Sequence, residues 1–346
     1  MIGPRMTETQ LATLLERISR ARIGVVGDFC IDSYYIVDSE ASKPSLETGL
    51  MTRPVREQRT TLGGAGNITA NLHAIGVGHI RAFAVVGHDS MGAELLRLLN
   101  AIGVDTGSLG VQKDGWQTNC YLKPIIRGEE SNRFDLGVFN SISGESERIL
   151  LGSLADALPE LDVLIINQQF ERGLHSENVK SGINRLLARF PGVIGLVDCR
   201  NIAESYPAAV HKLNDLEASR LCGFSRAPTD AITRQEALRA ASRLHSKWRN
   251  PVFVTRGGQG CIVADDSGTH DIPGLRIAGK IDTVGAGDSV VSGIAACMAT
   301  GSAPAEAASF GNLVAGVTVQ KLHQTGTATP DEIRTLHRHA VYMEPD

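Results

Sequence analysis

Two aspartates bracket a turn that has almost no side chain to pack, in Asp282-Thr283-Val284-Gly285-Ala286-Gly287-Asp288. Downstream, Val290, Val291, Ile294, Ala295 and Met298 recur at helical spacing, so the turn opens a helix. A glycine-rich turn at a helix N-terminus presents backbone N–H groups and the positive end of the helix dipole, which suits a phosphate or a developing negative charge. Gly285, Ala286 and Gly287 are therefore candidates for an anion hole. A carboxylate in the same turn can take the proton of a hydroxyl as its oxygen attacks phosphorus, which makes Asp288 a candidate general base. The same spacing also fits a structural role, with Asp288 as the N-cap of the helix. The turn alone does not choose between them.

The elements that must position such a turn are legible from periodicity. Short runs rich in β-branched residues, at 22–28, 80–87, 162–167, 192–198 and 251–257, read as buried strands. Helix-period segments at 64–76, 91–103, 176–190 and 234–248 lie between them. This alternation predicts an α/β fold, a mostly parallel sheet with helices on both faces. Ligands in such sheets sit beyond the carboxyl ends of the strands, where Asp28, Asp198 and the glycines after Thr255 fall. Two polar stretches break the alternation. Residues 36–62 are extended and 116–138 resemble a β-hairpin, and together they predict a small sheet projecting as a lid from a single domain spanning 1–346.

Composition narrows the partners. With 346 residues and 42% hydrophobic content the chain can bury a large core, and a net charge of -4 supplies no basic field for nucleic acid or an anionic membrane surface. Cys30, Cys120, Cys199, Cys222, Cys261 and Cys297 stand singly, without zinc-site or disulfide spacing, and read as reduced thiols of a cytoplasmic protein. The first twenty residues carry charges through an amphipathic helix and lack the apolar core of a signal peptide. The weakly polar run at 289–301 is too short to span a bilayer.

The glycine turn resembles the C-terminal signature of the ribokinase-like carbohydrate kinases, the PfkB family, written D-T-x-G-A-G-D. In family order upstream stand "GDFCID", "GGAGN" at 63–67, "NDLE" at 214–217 and "TRGGQG" at 255–260, so the resemblance covers nearly the whole chain. It implies the ribokinase-like fold, ATP as phosphoryl donor and Mg²⁺, and it leaves dependence on a monovalent cation open. It implies that Asp32, with Asp28 second, accepts hydrogen bonds from sugar hydroxyls, and that Gly63, Gly64 and Asn67 approach the sugar. Asn214 and Glu217 would organise water around Mg²⁺ and the triphosphate. Thr255, Gly257, Gly258 and Gly260 would pass under the nucleotide, Asp282 would belong to its site, and Asn312 would cover adenine or ribose. Several have a plainer reading too. Asp28 could cap a strand exit, Asn67 could cap the helix after it, Asn214 with Glu217 forms a capping box, and Asn312 could serve helix packing. "GGAGN" fails as a dinucleotide fingerprint, because Thr69 stands where the last glycine belongs and the segment before it reads as polar lid rather than strand.

Within the family the chain most resembles the kinase domain that phosphorylates O1 of a heptose 7-phosphate in ADP-heptose synthesis, notably in "GGAGNITANLHAIG" and "NLVAGVTVQKLHQTGTATPDEI". The second, nucleotidyltransferase domain of bifunctional versions is not expected, which implies a stand-alone kinase. "NQQFERG" at 167–173 and "VDCR" at 197–200 depart from the corresponding Asp-Tyr-x-Lys-Gly and "VDPK" elements near the acceptor. A phosphorylated acceptor needs a guanidinium fork or an ammonium. Arg53, Arg56 and Arg59 in the lid, Lys43 and Arg133 are the candidates, with Glu47 and Glu57 able to neutralise the first group as a solvated surface. The alternatives are a nucleoside kinase or another hexose or pentose kinase of the same fold, and a non-catalytic sugar or nucleotide sensor. The resemblance also implies a homodimer paired through the lid.

Overall fold

The structure is a computed structural model of the chain and describes residues 6–224, 231–322 and 324–344. Fourteen strands run β1 Arg22–Gly27, β2 Phe29–Val37, β3 Val55–Gly64, β4 His79–Gly87, β5 Asp105–Gln112, β6 Asn119–Ile126, β7 Glu129–Glu130, β8 Phe134–Leu136, β9 Val163–Gln168, β10 Ile194–Cys199, β11 Val210–Asn214, β12 Val252–Thr255, β13 Gly260–Asp265 and β14 Gly268–Pro273 among the described residues. The α-helices are α1 Glu8–Ile18, α2 Ala65–Ile75, α3 Ser90–Ala101, α4 Gly144–Ala157, α5 Glu177–Arg189, α6 Asp215–Leu221, α7 Arg234–Trp248, α8 Ala286–Met298, α9 Pro304–Thr318 and α10 Pro330–His339.

The main sheet has the order β14-β13-β12-β11-β10-β9-β1-β4-β5. It is parallel from β12 to β5, and the β12-β13-β14 edge is antiparallel. The pleat divides its side chains between two cores. Ile23, Val25, Val163 and Ile165 face one core with α1, α2, α3, α8, α9 and α10, and Val26, Leu164 and Ile166 face the other with α4 to α7. Both faces are covered, which explains why the central strands read as continuous apolar runs rather than as alternation. The expected strands and helices all form. β5, β11 and β14 carry too few apolar residues to stand out in the sequence, and β13 is short and follows directly on the glycine turn at 257–260.

The second sheet has the order β3-β2-β6-β7, with β8 also on β6. β2 pairs antiparallel with β3 over its full length and parallel with β6 from Cys30 to Val37. Its first strand begins at Phe29, earlier than the polar segment at 36–62, because Phe29 to Ser33 are buried and look like core. The segment before "GGAGN" is therefore a strand, β3, and belongs to the lid sheet. The dinucleotide reading still fails, since β3 is no part of the parallel sheet. α8 and α9 are brought together by Gly293 and Gly311, where a β-carbon on Gly293 would lie 2.8 Å from Gly311 Cα. That backbone approach anchors α8 in the core and fixes where its N-terminus points.

Candidate active site

A cavity of about 310 Å³ lies beyond the carboxyl ends of β9, β10 and β11, under the lid sheet, and a larger groove of about 560 Å³ lies beyond β12. Gly287 lines both. The glycine turn is thus the partition between a polar chamber and a largely apolar slot.

Two helices start at that partition. α8 has Gly285 as N-cap, with φ 77°, and no side chain caps it. A β-carbon on Gly285 would lie 2.8 Å from Asn67 Nδ2, so both backbone conformation and space demand glycine there. Asp288 is the third helical residue and not the N-cap, which removes the structural reading of its position. Ala286 N–H is spent on Thr283 O at 3.1 Å, so of the three expected hole residues Gly285 and Gly287 keep backbone amides without a partner among the described residues, that of Gly287 in the first turn of the helix. α2 starts likewise after Gly64 with no side-chain cap, and Asn67 is its third residue rather than its cap. The two third residues meet, with Asn67 Nδ2 donating to Asp288 Oδ2 at 2.7 Å. Burial, assisted by the charge of Asp198, pushes the Asp288 carboxyl up to about 7, against the Asn67 hydrogen bond, Lys212 and Arg200.

Around Asp288 the chamber carries charges in pairs. Lys212 Nζ reaches Asp198 Oδ1 at 2.9 Å and would lie 3.2 Å from a β-carbon on Gly287. Burial works against its charge, but Asp198, Glu217 and Asp288 outweigh that and hold its pKa above the ordinary lysine value. Lys123 Nζ lies 3.2 Å from Asp32 Oδ2, with both side chains 8% exposed. Asp32 Oδ1 and Asn167 Oδ1 are buried acceptors without a partner among the described residues, and both residues line the chamber. Unmet buried acceptors in a chamber wall are places for hydroxyl donors.

Several expected residues border these two spaces. Asp32, Gly63, Gly64, Asn67, Arg133, Asn214 and Glu217 line the chamber, and Thr255, Gly257, Gly258, Gly260, Ala286 and Asn312 line the groove. Asn214 and Glu217 also form the capping box of α6, each side chain accepting from the other's backbone N–H at 2.8 Å. Asn312 donates to Pro273 O at 3.3 Å, so it serves packing as well as the groove. Asn67 lines the chamber, but its amide is engaged by Asp288 and Asn71.

Others do not. Asp28 lies outside the chamber lining; its Oδ2 accepts from the N–H groups of Gln169 and Phe170 at 2.8 and 2.9 Å and braces the loop after β9. Asp282 lines neither space, and its Oδ1 accepts from Val284 N–H at 3.0 Å within the turn. Arg53 is exposed on the lid and lines neither space, Arg56 pairs with Asp38 and Arg59 with Glu57. Lys43 is likewise exposed and away from the chamber. These distal lid residues face solvent because the lid's far end extends past the chamber.

The sequence reading missed Tyr121, Lys123, Arg200 and Lys212 in the chamber wall. Tyr121 and Lys123 share one face of β6, and that period of two was the available signal. Tyr121 stacks on Phe170 with ring centroids 5.3 Å apart and carries Arg133 4.1 Å above its ring. Lys212 stands two residues before the Asn-x-x-Glu element, in a strand too polar to notice. Among the described residues no group of three or more His, Cys, Asp or Glu side chains is arranged to hold a metal ion directly, and no helix is long and apolar enough to cross a membrane.

A chamber of hydroxyl acceptors, an apolar slot and a helix N-terminus with an elevated carboxyl between them define a phosphoryl-transfer enzyme. Solved structures show the same fold. Phosphofructokinase-2 from Escherichia coli in complex with potassium is similar over 92% of this chain and 99% of that one, with TM-score 0.71 and 18% identity. Ribokinase from Arabidopsis thaliana complexed with ribose and ATP is similar over the same shares, with TM-score 0.70 and 18% identity. The chain belongs to the pfkB family of carbohydrate kinases, whose family model matches residues 20–332. Among curated proteins it is 30% identical to the bifunctional protein HldE of Citrifermentans bemidjiense over 95% of this chain and 66% of that protein, and 28% identical to that of Sulfurimonas denitrificans over 89% and 62%. The chain thus spans just under two thirds of the length of these relatives.

Proposed function

We propose that the protein transfers the γ-phosphoryl group of ATP to a hydroxyl of a sugar that already carries a phosphate, with a heptose 7-phosphate as the acceptor. The observation that carries the reading is the position of Asp288, at the one turn where chamber and groove meet. The acceptor occupies the chamber with hydroxyls donating to Asp32 Oδ1, and one hydroxyl faces Asp288. That hydroxyl gives its proton to Asp288 as its oxygen attacks the γ-phosphorus in line, and the bond to the ADP oxygen breaks. Gly287 N–H and the Lys212 ammonium receive the charge on the travelling group. The apolar groove under Gly257, Gly258 and Asn312 suits a purine.

Mg²⁺ fits the donor set through water. Asn214 and Glu217 offer hard oxygens at the chamber wall with lone pairs left over from their mutual capping, and bound there the ion would screen the triphosphate. Because the Escherichia coli phosphofructokinase-2 structure is a complex with potassium, monovalent-cation dependence belongs in the same assay. A phosphorylated acceptor is supported by the cations Lys123, Arg133 and Arg200 in the wall. The heptose assignment is supported by the likeness of "GGAGNITANLHAIG" and "NLVAGVTVQKLHQTGTATPDEI" to segments of heptose 7-phosphate kinase domains, and the match to bifunctional HldE proteins is in keeping with it. A nucleoside acceptor is disfavoured, because Tyr121, the aromatic residue of the chamber lining among the described residues, already stacks with Phe170 and Arg133. Six unpaired buried cysteines are in keeping with a cytoplasmic kinase. Exposed Leu46, Leu50, Met51 and Val55 on the lid, beside the open edge of β3, support pairing with a second copy.

The test is a panel of free and phosphorylated heptoses, hexoses and pentoses with ATP, reading product by mass. Phosphorylation of heptose 7-phosphate well above the unphosphorylated sugars is expected. Turnover confined to unphosphorylated sugars would remove the anionic acceptor, and no turnover with any sugar would favour a sensor.

A further inference from the structure

Behind Asn67 and Asp288 a chain of polar side chains runs from the chamber into the seam between α2 and α8. Asn71, one turn on from Asn67, and Ser289, next to Asp288, are both fully buried. Asn71 Nδ2 donates to Asn67 O at 2.9 Å and to Asn67 Oδ1 at 3.3 Å. Ser289 Oγ donates to Asn71 Oδ1 at 3.1 Å and stands the same distance from Gly285 O.

The orientations follow from what each atom can do. A backbone carbonyl only accepts, so the atom that Asn71 turns to Asn67 O is its nitrogen. The other hydrogen of that nitrogen meets Asn67 Oδ1, which leaves Asn67 Nδ2 on the far side, against Asp288 Oδ2. Asn71 Oδ1 meets a hydroxyl donor. A reversed Asn67 amide would set carbonyl against carboxylate and NH₂ against NH₂, so each amide is locked by its neighbour.

We infer that Asn71 and Ser289 are positioning residues for phosphoryl transfer: they lock the Asn67 amide, which engages one oxygen of Asp288 and leaves the other for the acceptor hydroxyl. The inference rests on the reading of Asp288 as the base. The donated N–H stabilises the ionised carboxylate and opposes the burial that raises its pKa. The other charged or titratable groups bearing on Asp288 are Asp198 on β10, Arg200 beyond it, Lys212 on β11 and Cys30 on β2. None of these shares a hydrogen bond with Asn71 or Ser289 among the described residues.

The test is a ¹³C-carboxyl NMR titration of aspartate-labelled protein, which needs no substrate, with the Asp288 resonance identified by its absence from Asp288→Asn. Asn71→Leu keeps the approximate shape of the side chain and removes both donors. Its Asp288 midpoint is expected to rise by about half to one pH unit. Ser289→Ala should move it by a smaller step in the same direction, and it decides the matter if the Leu variant does not fold. Midpoints unchanged from wild type in folded variants would overturn the inference while leaving the base reading intact. Turnover of Asp288→Asn close to wild type would instead remove the base, and with it the catalytic meaning of any shift.

Discussion

Burial makes Asp288 a stronger base than an ordinary carboxylate, and the same burial makes its charge costly. Its pKa, raised to about 7, lies above the unfolded value of 3.8. The folded state therefore holds this proton more tightly than the unfolded chain, and ionising the group removes stability as pH climbs from about 4 to 7. With Asp288 in its proposed role as base, activity follows the opposite sign, since only the ionised form accepts a proton. Turnover is expected to rise through about pH 7, checked as kcat against pH at saturating substrates. Asp288→Asn should lose turnover by about a thousandfold while ATP affinity stays near wild type. Its Tm at pH 8 should be higher than wild type, since Asn can accept from Asn67 without a buried charge. At this scale the signature turn was legible in sequence, because glycines before a carboxylate at the head of an apolar helix mark an uncapped helix start, although a cap and a base looked alike there until the tertiary structure placed Asp288 at the third helical position. The partners of Asp288 were not, for Lys212 and Asp198 come from strands whose order in the sheet is a tertiary fact.

Among elements, α6 shows how one pair of residues can serve both structure and chemistry. Its capping box holds the helix start at the chamber wall, so the residues proposed to face Mg²⁺ are fixed by the same bonds that turn the end of β11 into the helix. Glu217→Gln separates the roles, because glutamine at the same position still caps. Its Tm is expected within about a degree of wild type, with the Mg²⁺ concentration for half-maximal rate raised about tenfold for loss of the charge that holds the ion's water. Glu217→Ala should show that loss and also about 1 kcal/mol of destabilisation in denaturant melts. An unaltered Mg²⁺ requirement in both variants would leave the pair as a cap only. Sequence placed the element correctly and could not decide between its uses, since capping and ligation call for the same side chains at the same spacing.

For the whole molecule, the proposed function depends on the lid sheet meeting the main sheet, since residues of both line the chamber. The stack of Arg133, Tyr121 and Phe170 joins them, with Phe170 on the loop that Asp28 braces. Arg133 is also paired with Asp135 at 2.6 Å, which holds its guanidinium at the chamber mouth. Arg133→Ala is expected to raise KM for a phosphorylated acceptor about tenfold or more with little change in KM for ATP, and Arg53→Ala to change neither. Steady-state kinetics on the best sugar phosphate of the panel checks both. Light scattering is expected to give twice the chain mass, and Leu50→Asp, which places a charge in the exposed apolar cluster of the lid, to give the monomer.

By itself the sequence determined the strands β1, β4, β9, β10 and β12, the helices α2, α3, α5, α7 and α8 and the turn proposed to carry the chemistry, because local periodicity and turn composition are properties of neighbours in the chain. Tertiary structure alone decided which charges share the chamber. It moved Asp28 and Arg53 out, brought Lys123 and Lys212 in, and set Asn67 against Asp288 from 221 positions away. The physical reason is that a side chain's electrostatic surroundings depend on strand order and helix approach, which periodicity does not encode.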